Sequence, residues 1–194
     1  MEKKTSLKDG TEVVIRELTP NDVDASFAFF QALLEEDSAY LRRRIDTREI
    51  VEERIRDMES GWVVRLVADA DGAIVADGGL EILTHRWKDH IGEIRLIVAR
   101  DYQGKGLGEK LALELYNYAN RLKLEEIIVE MMGSQPGVQR IFERLGFRKE
   151  AQLHELVKDS NGKKQDLIIM RCPLSILWDT LEEHVARTEW YQKI

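Results

Sequence analysis

The sequence predicts a mixed α/β (α+β) domain. Its sheet is expected to be mostly antiparallel, of about seven strands, with helices on both faces and a further helix at the C-terminus. Three observations carry this. Short β-rich runs are joined by tight-turn signals, Asp69-Ala70-Asp71-Gly72 and Asp159-Ser160-Asn161-Gly162, which make hairpins. A long helix-patterned segment starting near Leu107 separates two apolar runs, Ile91–Ala99 and Glu126–Met132, which makes those two strands parallel neighbours. Two further amphipathic segments precede the first hairpin.

In chain order, Val13-Val14-Ile15-Arg16-Glu17-Leu18 is the first expected strand. Thr19-Pro20-Asn21-Asp22 reads as a helix start, with Thr at the cap, Pro in the first helical position and Asp in the first turn. Val23, Phe27, Phe30, Leu33 and Leu34 lie on one face of that helix, and Glu35-Glu36-Asp37 is expected to end it. A second helix is expected from Asp46, with Glu49 closing a capping box and Ile50, Ile55 and Met58 facing inward, until Ser60-Gly61 stops it. Trp62–Ala68 and Ile74–Leu83 form the first hairpin. The adjacent Gly78 and Gly79 mark a bulge or the close approach of another backbone.

Thr84–His90 is a polar loop carrying Trp87. After the Ile91–Ala99 strand, Leu107, Leu111, Leu115 and Tyr118 give the long helix its buried stripe. Val138, Ile141, Phe142 and Leu145 mark a short helix that stops at Gly146, and the runs Arg148–Val157 and Asp166–Arg171 complete the sheet, closed by Pro173. The expected order is β α α β β β α β α β β. Residues 1–173 form one domain and 174–194 a helical extension, in which Leu174, Leu177, Trp178, Leu181 and Val185 share a face. That face is expected to pack on the domain itself or across a homodimer.

Composition narrows the function classes. The 194 residues suit one well-buried core, and 43% hydrophobic with 34% charged residues describes a globular chain. A net charge of −7 argues against nonspecific nucleic-acid binding. No apolar run approaches a membrane span, and Met1-Glu2-Lys3-Lys4-Thr5 is followed by no secretory apolar segment, so a cytoplasmic location is expected. The single cysteine, Cys172, excludes an internal disulfide and reads as a small buried residue. His85, His90 and His154 do not share a metal-ligand spacing, so no metal site is expected.

The stretch with most chemical content is Gln103-Gly104-Lys105-Gly106-Leu107-Gly108, between a strand and a long helix. Helix N-terminal amides lack intrahelical partners and sit at the positive end of the helix dipole, so a glycine-rich turn there can cradle a phosphate. The dinucleotide pattern G-x-G-x-x-G fails because Glu109 or Leu111 occupies its third glycine position. The P-loop pattern fails because Gly106 follows Lys105.

The remaining pattern, Q-x-x-G-x-G after Leu96-Ile97-Val98, resembles the acetyl-CoA site of the GNAT superfamily of N-acetyltransferases, and the element order matches that fold from about Glu12 to Cys172. The resemblance implies that the pantetheine arm pairs with Leu96, Ile97 and Val98, and that the diphosphate sits on the amides of Gln103, Gly104, Lys105, Gly106, Leu107, Gly108 and Glu109. The family pattern N-x-x-A-x-x-x-Y-x-x-x-G-F falls on Gln135 through Phe147, which places Gln135 and Phe142 beside the cofactor. Phe142 stands where the family usually has the tyrosine that protonates the leaving thiolate.

The implied reaction is direct transfer of an acetyl group to an amine in a ternary complex. Such an amine carries a proton at neutral pH, with a pKa of about 10.4 for a lysine-type group, so a base is needed. Resemblance offers Glu93 on the fourth expected strand and Glu130 on the fifth, with Glu81 as a third choice. Solvent-facing glutamates are the alternative for each. The missing tyrosine leaves open a non-catalytic acyl-CoA-binding module.

Overall fold

The computed structural model describes residues 2–38, 41, 43–84, 86–159 and 161–175. The strands are β1 (Glu2–Ser6), β2 (Glu12–Glu17), β3 (Val63–Ala70), β4 (Ala73–Ile82), β5 (Ile91–Val98), β6 (Glu126–Met132), β7 (Arg148–Lys158) and β8 (Lys164–Pro173). The helices are α1 (Val23–Ala32), α2 (Glu35–Ser38), α3 (Arg48–Arg56), α4 (Leu107–Arg121) and α5 (Pro136–Arg144). One sheet runs in the order β1-β2-β3-β4-β5-β6-β8-β7. Only β5 and β6 are parallel neighbours, as the long intervening helix requires.

The sheet has one strand more than expected. β1 is a charged segment without apolar alternation, and it pairs with β2 through its backbone from Glu2↔Arg16 to Ser6↔Glu12. Such a polar strand suits a sheet edge. The first helix also differs. α1 ends at Ala32 because Leu33 turns extended (φ −65°, ψ 135°), and Glu35–Asp37 begins the short α2 instead of ending α1. α3 is capped by Thr47, one residue later than expected, and Gly61 ends the following 3-10 turn in a left-handed conformation (φ 75°).

Gly78 and Gly79 mark no bulge; the β3–β4 register shifts instead at Ala68/Asp69. A Cβ on Gly78 would stand 3.0 Å from a Leu115 methyl and 3.1 Å from Leu111, so this glycine lets the α4 leucines reach the sheet. The Asp69–Gly72 turn appears as read, with positive φ at Asp71 and Gly72.

Strand alternation sorts the core into two layers. α4 and α5 cover one face, where Leu66, Leu80, Ile94, Leu111, Leu115, Ile127, Phe142 and Met170 are buried together. α1 and α3 cover the other, where Phe29, Phe30, Val51 and Val67 pack with Ile97. Cys172 is fully buried in the first layer, and burial pushes its thiol up to about 11. The expected helix from Leu174 lies outside the described residues beyond Ser175. Leu174 itself is buried; the Tyr116 hydroxyl donates to its carbonyl at 2.7 Å and its amide donates to Glu125 at 2.9 Å.

Tyr116→Phe leaves that buried carbonyl without its donor. It should lower unfolding free energy by about 1–2 kcal/mol in urea titration, with the far-ultraviolet spectrum unchanged. An unchanged midpoint would show that the chain end is not fixed there.

Candidate active site

β5 is the strand on which the site is built. Its parallel pairing with β6 covers Ile91↔Glu126, Gly92↔Ile127 and Glu93↔Ile128 and then stops, although β5 continues to Val98 and β6 to Met132. β5 stays paired with β4 along this length, up to Val98↔Ala76. Backbone bonds fix which amides face which way. Ala99 donates to Val75 at 2.9 Å, and Leu83 donates to the Ile91 carbonyl at 3.0 Å, so the odd-numbered residues of β5 address β4. The Ile94 amide closes the last β5–β6 pair, and the Ile94 carbonyl, the Leu96 amide and carbonyl and the Val98 amide then face the gap between β5 and β6. This is an open strand edge inside the sheet, shaped for an extended chain with amide groups of its own.

The glycine turn begins where β5 ends. Gln103 Nε2 donates to the Val98 carbonyl at 2.9 Å, which ties the turn to the strand. Gly104 (φ 73°) and Gly106 (φ 87°) are left-handed, and Gly106 is the N-cap of α4. The first intrahelical bond runs from Lys110 to the Gly106 carbonyl at 3.1 Å. Among the described residues no backbone bond occupies the amides from Gly104 to Glu109. A Cβ added at Gly108 would stand 3.6 Å from the Val98 side chain and 3.7 Å from that of Leu96, so the helix start packs directly on the strand. These groups fit a phosphate followed by an amide-bearing arm.

Two expected cofactor neighbours lie in less exposed settings. The Gln135 side chain accepts from the Met132 amide at 3.0 Å, and its backbone carbonyl accepts the first amides of α5, from Val138 and Gln139. Phe142 is 3% exposed, edge-on to Phe147 with ring centroids 5.0 Å apart. The Tyr116 hydroxyl bonds to Leu174 and that of Tyr118 to Glu17, where burial and then Glu17 push it up to about 12. Neither hydroxyl replaces the one missing at residue 142.

The three candidate carboxylates share one face of the sheet. Glu93 stands opposite Glu81 on β4 and opposite Ile128 on β6. Along β6, Ile127, Val129 and Met131 point into the α4–α5 layer, so Glu130 points to the same side as Glu93. Glu93 is 4% exposed. Arg95, two residues along the strand, reaches both its oxygens, Nε to Oε1 at 3.3 Å and Nη2 to Oε2 at 2.9 Å. The Arg95 Nη1 lies 3.4 Å from Glu81, and the charge of Glu130 is also felt at this guanidinium. Sequence reasoning missed Arg95. The signal was the Glu-x-Arg alternation, which puts both side chains on one strand face.

On the other side of the glycine turn lies the β1–β2 connection, also missed. Lys8 donates through its backbone to the Lys105 carbonyl at 3.1 Å. Lys105 Nζ pairs with Asp9 at 2.8 Å, and this bond pulls the exposed Asp9 carboxyl down to about 2. The pair is therefore charged throughout the neutral range.

Comparison with known proteins agrees with this geometry. The family model described as acetyltransferase (GNAT) domain matches residues 12–148. A GNAT-family acetyltransferase from Streptococcus pneumoniae superposes with TM-score 0.74 at 20% identity, covering 83% of this chain and 99% of that one. The putative acetyltransferase yncA from Salmonella typhimurium, solved with its cofactor acetyl-CoA, gives 0.74 at 22%, covering 84% and 94%. A ribosomal-protein-S5-alanine acetyltransferase from Vibrio fischeri gives 0.74 at 17%, covering 83% and 92%. No curated protein matches the sequence. The chain belongs to the GNAT acetyltransferases, enzymes that use acetyl-CoA. Among the described residues no helix is long and apolar enough to cross a membrane.

Gly106→Val forces a β-branched side chain into a left-handed turn at the helix cap. Calorimetry should show acetyl-CoA affinity reduced by about tenfold or more while the far-ultraviolet spectrum is retained. Unchanged affinity in the folded variant would remove the glycine turn from the site.

Proposed function

We propose that this chain transfers an acetyl group from acetyl-CoA to an amine by direct attack in a ternary complex, with Glu93 as the base. The observation that carries the assignment is the position of Glu93. It is a buried carboxylate on the last residue pair before β5 and β6 part, beside the open edge that suits the pantetheine arm. Acetyl-CoA supplies the acyl group as a thioester, whose thiol, with a pKa of about 8.5, is a tolerable leaving group without a tyrosine acid.

The chain's own residues then have separate tasks. The backbone of Leu96 and Val98, with Ile97 between them, aligns the arm. The amides of Gly104 through Glu109 hold the diphosphate. Glu93 takes the ammonium proton from the acceptor at a carboxylate oxygen. Arg95 fixes the orientation of that carboxylate through two hydrogen bonds and links it to Glu81. The acceptor reaches this row from the face covered by α1 and α3. The same architecture serves a spermidine N-acetyltransferase chimera and a ribosomal-protein-alanine acetyltransferase among similar structures, so the fold itself does not select the amine.

Screening amines with a thiol-release assay supplies the acceptor. With it, Glu93→Gln should lower kcat/KM by about 10²-fold or more at neutral pH, with partial recovery at high pH. The KM for acetyl-CoA should change little, and Glu130→Gln should cost less than tenfold. A large loss in Glu130→Gln with a near-normal Glu93→Gln enzyme would move the base to β6.

A further inference from the structure

We infer that the β1–β2 turn is part of the cofactor site and that the Lys8 ammonium is a phosphate ligand of acetyl-CoA. The inference rests on the glycine turn holding the diphosphate. Lys8 lies outside the region matched by the family model, residues 12–148, so the assignment comes from this chain's own packing.

The turn is fixed in place. Leu7 is 4% exposed and belongs to the α4-side core, and its amide closes the turn onto the Thr11 carbonyl at 2.8 Å. The next amide, that of Lys8, docks on the Lys105 carbonyl inside the glycine turn at 3.1 Å. On β1, Lys3 pairs with the buried Glu114 of α4, which holds the hairpin along the helix. The β1–β2 hairpin thus meets α4 at its N-terminal turn and again further along its length.

The Lys8 stem lies over the bare face of Gly106. A Cβ placed there would meet Lys8 Cε at 3.4 Å, Cγ at 3.7 Å and Cδ at 3.8 Å. Glycine at the N-cap therefore serves two purposes. It permits the left-handed turn, and it leaves the flat surface along which the lysine runs. Three lysines of this neighbourhood have different fates. Lys3 is paired with Glu114 and Lys105 with Asp9, whereas Lys8 has no ion pair or side-chain hydrogen bond among the described residues. An ammonium on an anchored segment, unpaired and beside the unoccupied amides of a helix N-terminus, complements a phosphate dianion. Lysine acts there as a point charge and needs no bidentate geometry. The carboxylates acting on the neighbouring Lys105 are Asp9 and Asp101, and Glu109 in the first turn of α4 lies 3.8 Å from Arg144 of α5. Asp9 neutralises Lys105, so Lys8 is the cation that the turn leaves for the ligand.

The test is calorimetric titration of acetyl-CoA into the full chain and three variants, alongside thermal melting. Lys8→Met keeps the apolar stem over Gly106 and removes the charge. It should weaken binding about fivefold at low salt, the scale of one exposed ion pair. Lys8→Glu should weaken it further, to about tenfold or more, because like charges then face each other. Both should melt within about a degree of wild type, since the stem contributes packing and not a paired charge. Lys4→Met, on β1 away from the turn, should bind as wild type. Loss of the Lys8→Met effect with 3′-dephospho-CoA would assign the contact to the 3′-phosphate; persistence would assign it to the diphosphate, and either supports the inference. Wild-type affinity in both Lys8 variants overturns it while leaving the glycine turn intact as the cofactor site. No binding by the wild-type chain overturns the cofactor reading and this inference with it.

Discussion

The early end of the β5–β6 pairing is the constraint on which the site depends. A parallel pair of strands normally satisfies its backbone groups along its whole length. Here three residue pairs are made, and the strands then continue separately. β4 still holds the other edge of β5, and β8 that of β6, from Glu126↔Pro173 to Met132↔Leu167. The result is an opening between two fixed walls. It presents the backbone of Leu96 and the Val98 amide to whatever lies in the gap. The glycine turn continues that edge into the N-terminus of α4, so strand edge and unoccupied helix amides adjoin.

The two faces of the sheet divide the work at this opening. Even-numbered residues of β5 pack with α4, and Gly78 on β4 lets Leu111 and Leu115 come within about 3.0–3.1 Å of where its Cβ would be. That contact seats α4 and with it the glycine turn. Odd-numbered residues carry the polar row, Glu93 and Arg95, before Ile97 returns to the apolar layer under α1 and α3. A buried carboxylate with a bidentate arginine is held in one orientation, and breaking such a pair from one side leaves a charge without compensation. The geometry at Glu93 is thus a property of the sheet register, not of a mobile loop.

Much of this was legible in the sequence. Gln103 through Gly108 announced a left-handed turn at the start of a long helix because each glycine, between strand and helix, has a physical use there. The strand alternation of Ile127, Val129 and Met131 already implied the opposite face for Glu130. Other features depend on register or tertiary contact and leave little local trace. β1 has no apolar alternation because it lies at an edge and is held by backbone bonds. α1 stops at Ala32 without glycine or proline, where Leu33 turns extended. The point where β5 and β6 part has no residue signature, and the grouping of Glu81, Glu93 and Glu130 around Arg95 requires knowing which residues stand opposite each other across three strands. Lys8 was silent for the same reason. It is one of three lysines near the start of the chain, and only the docking of its turn on Lys105 distinguishes it.

The central claim is that acetyl-CoA completes the sheet in the β5–β6 gap and ends on the glycine turn. Residue-resolved amide hydrogen exchange with and without acetyl-CoA tests it directly. The account predicts new protection at Leu96, Val98 and the amides from Gly104 to Glu109, with little change at Ile91 and Glu93, which already face β4. Protection confined to other segments, with Leu96 and Val98 exchanging at their free rates in the saturated protein, would contradict it.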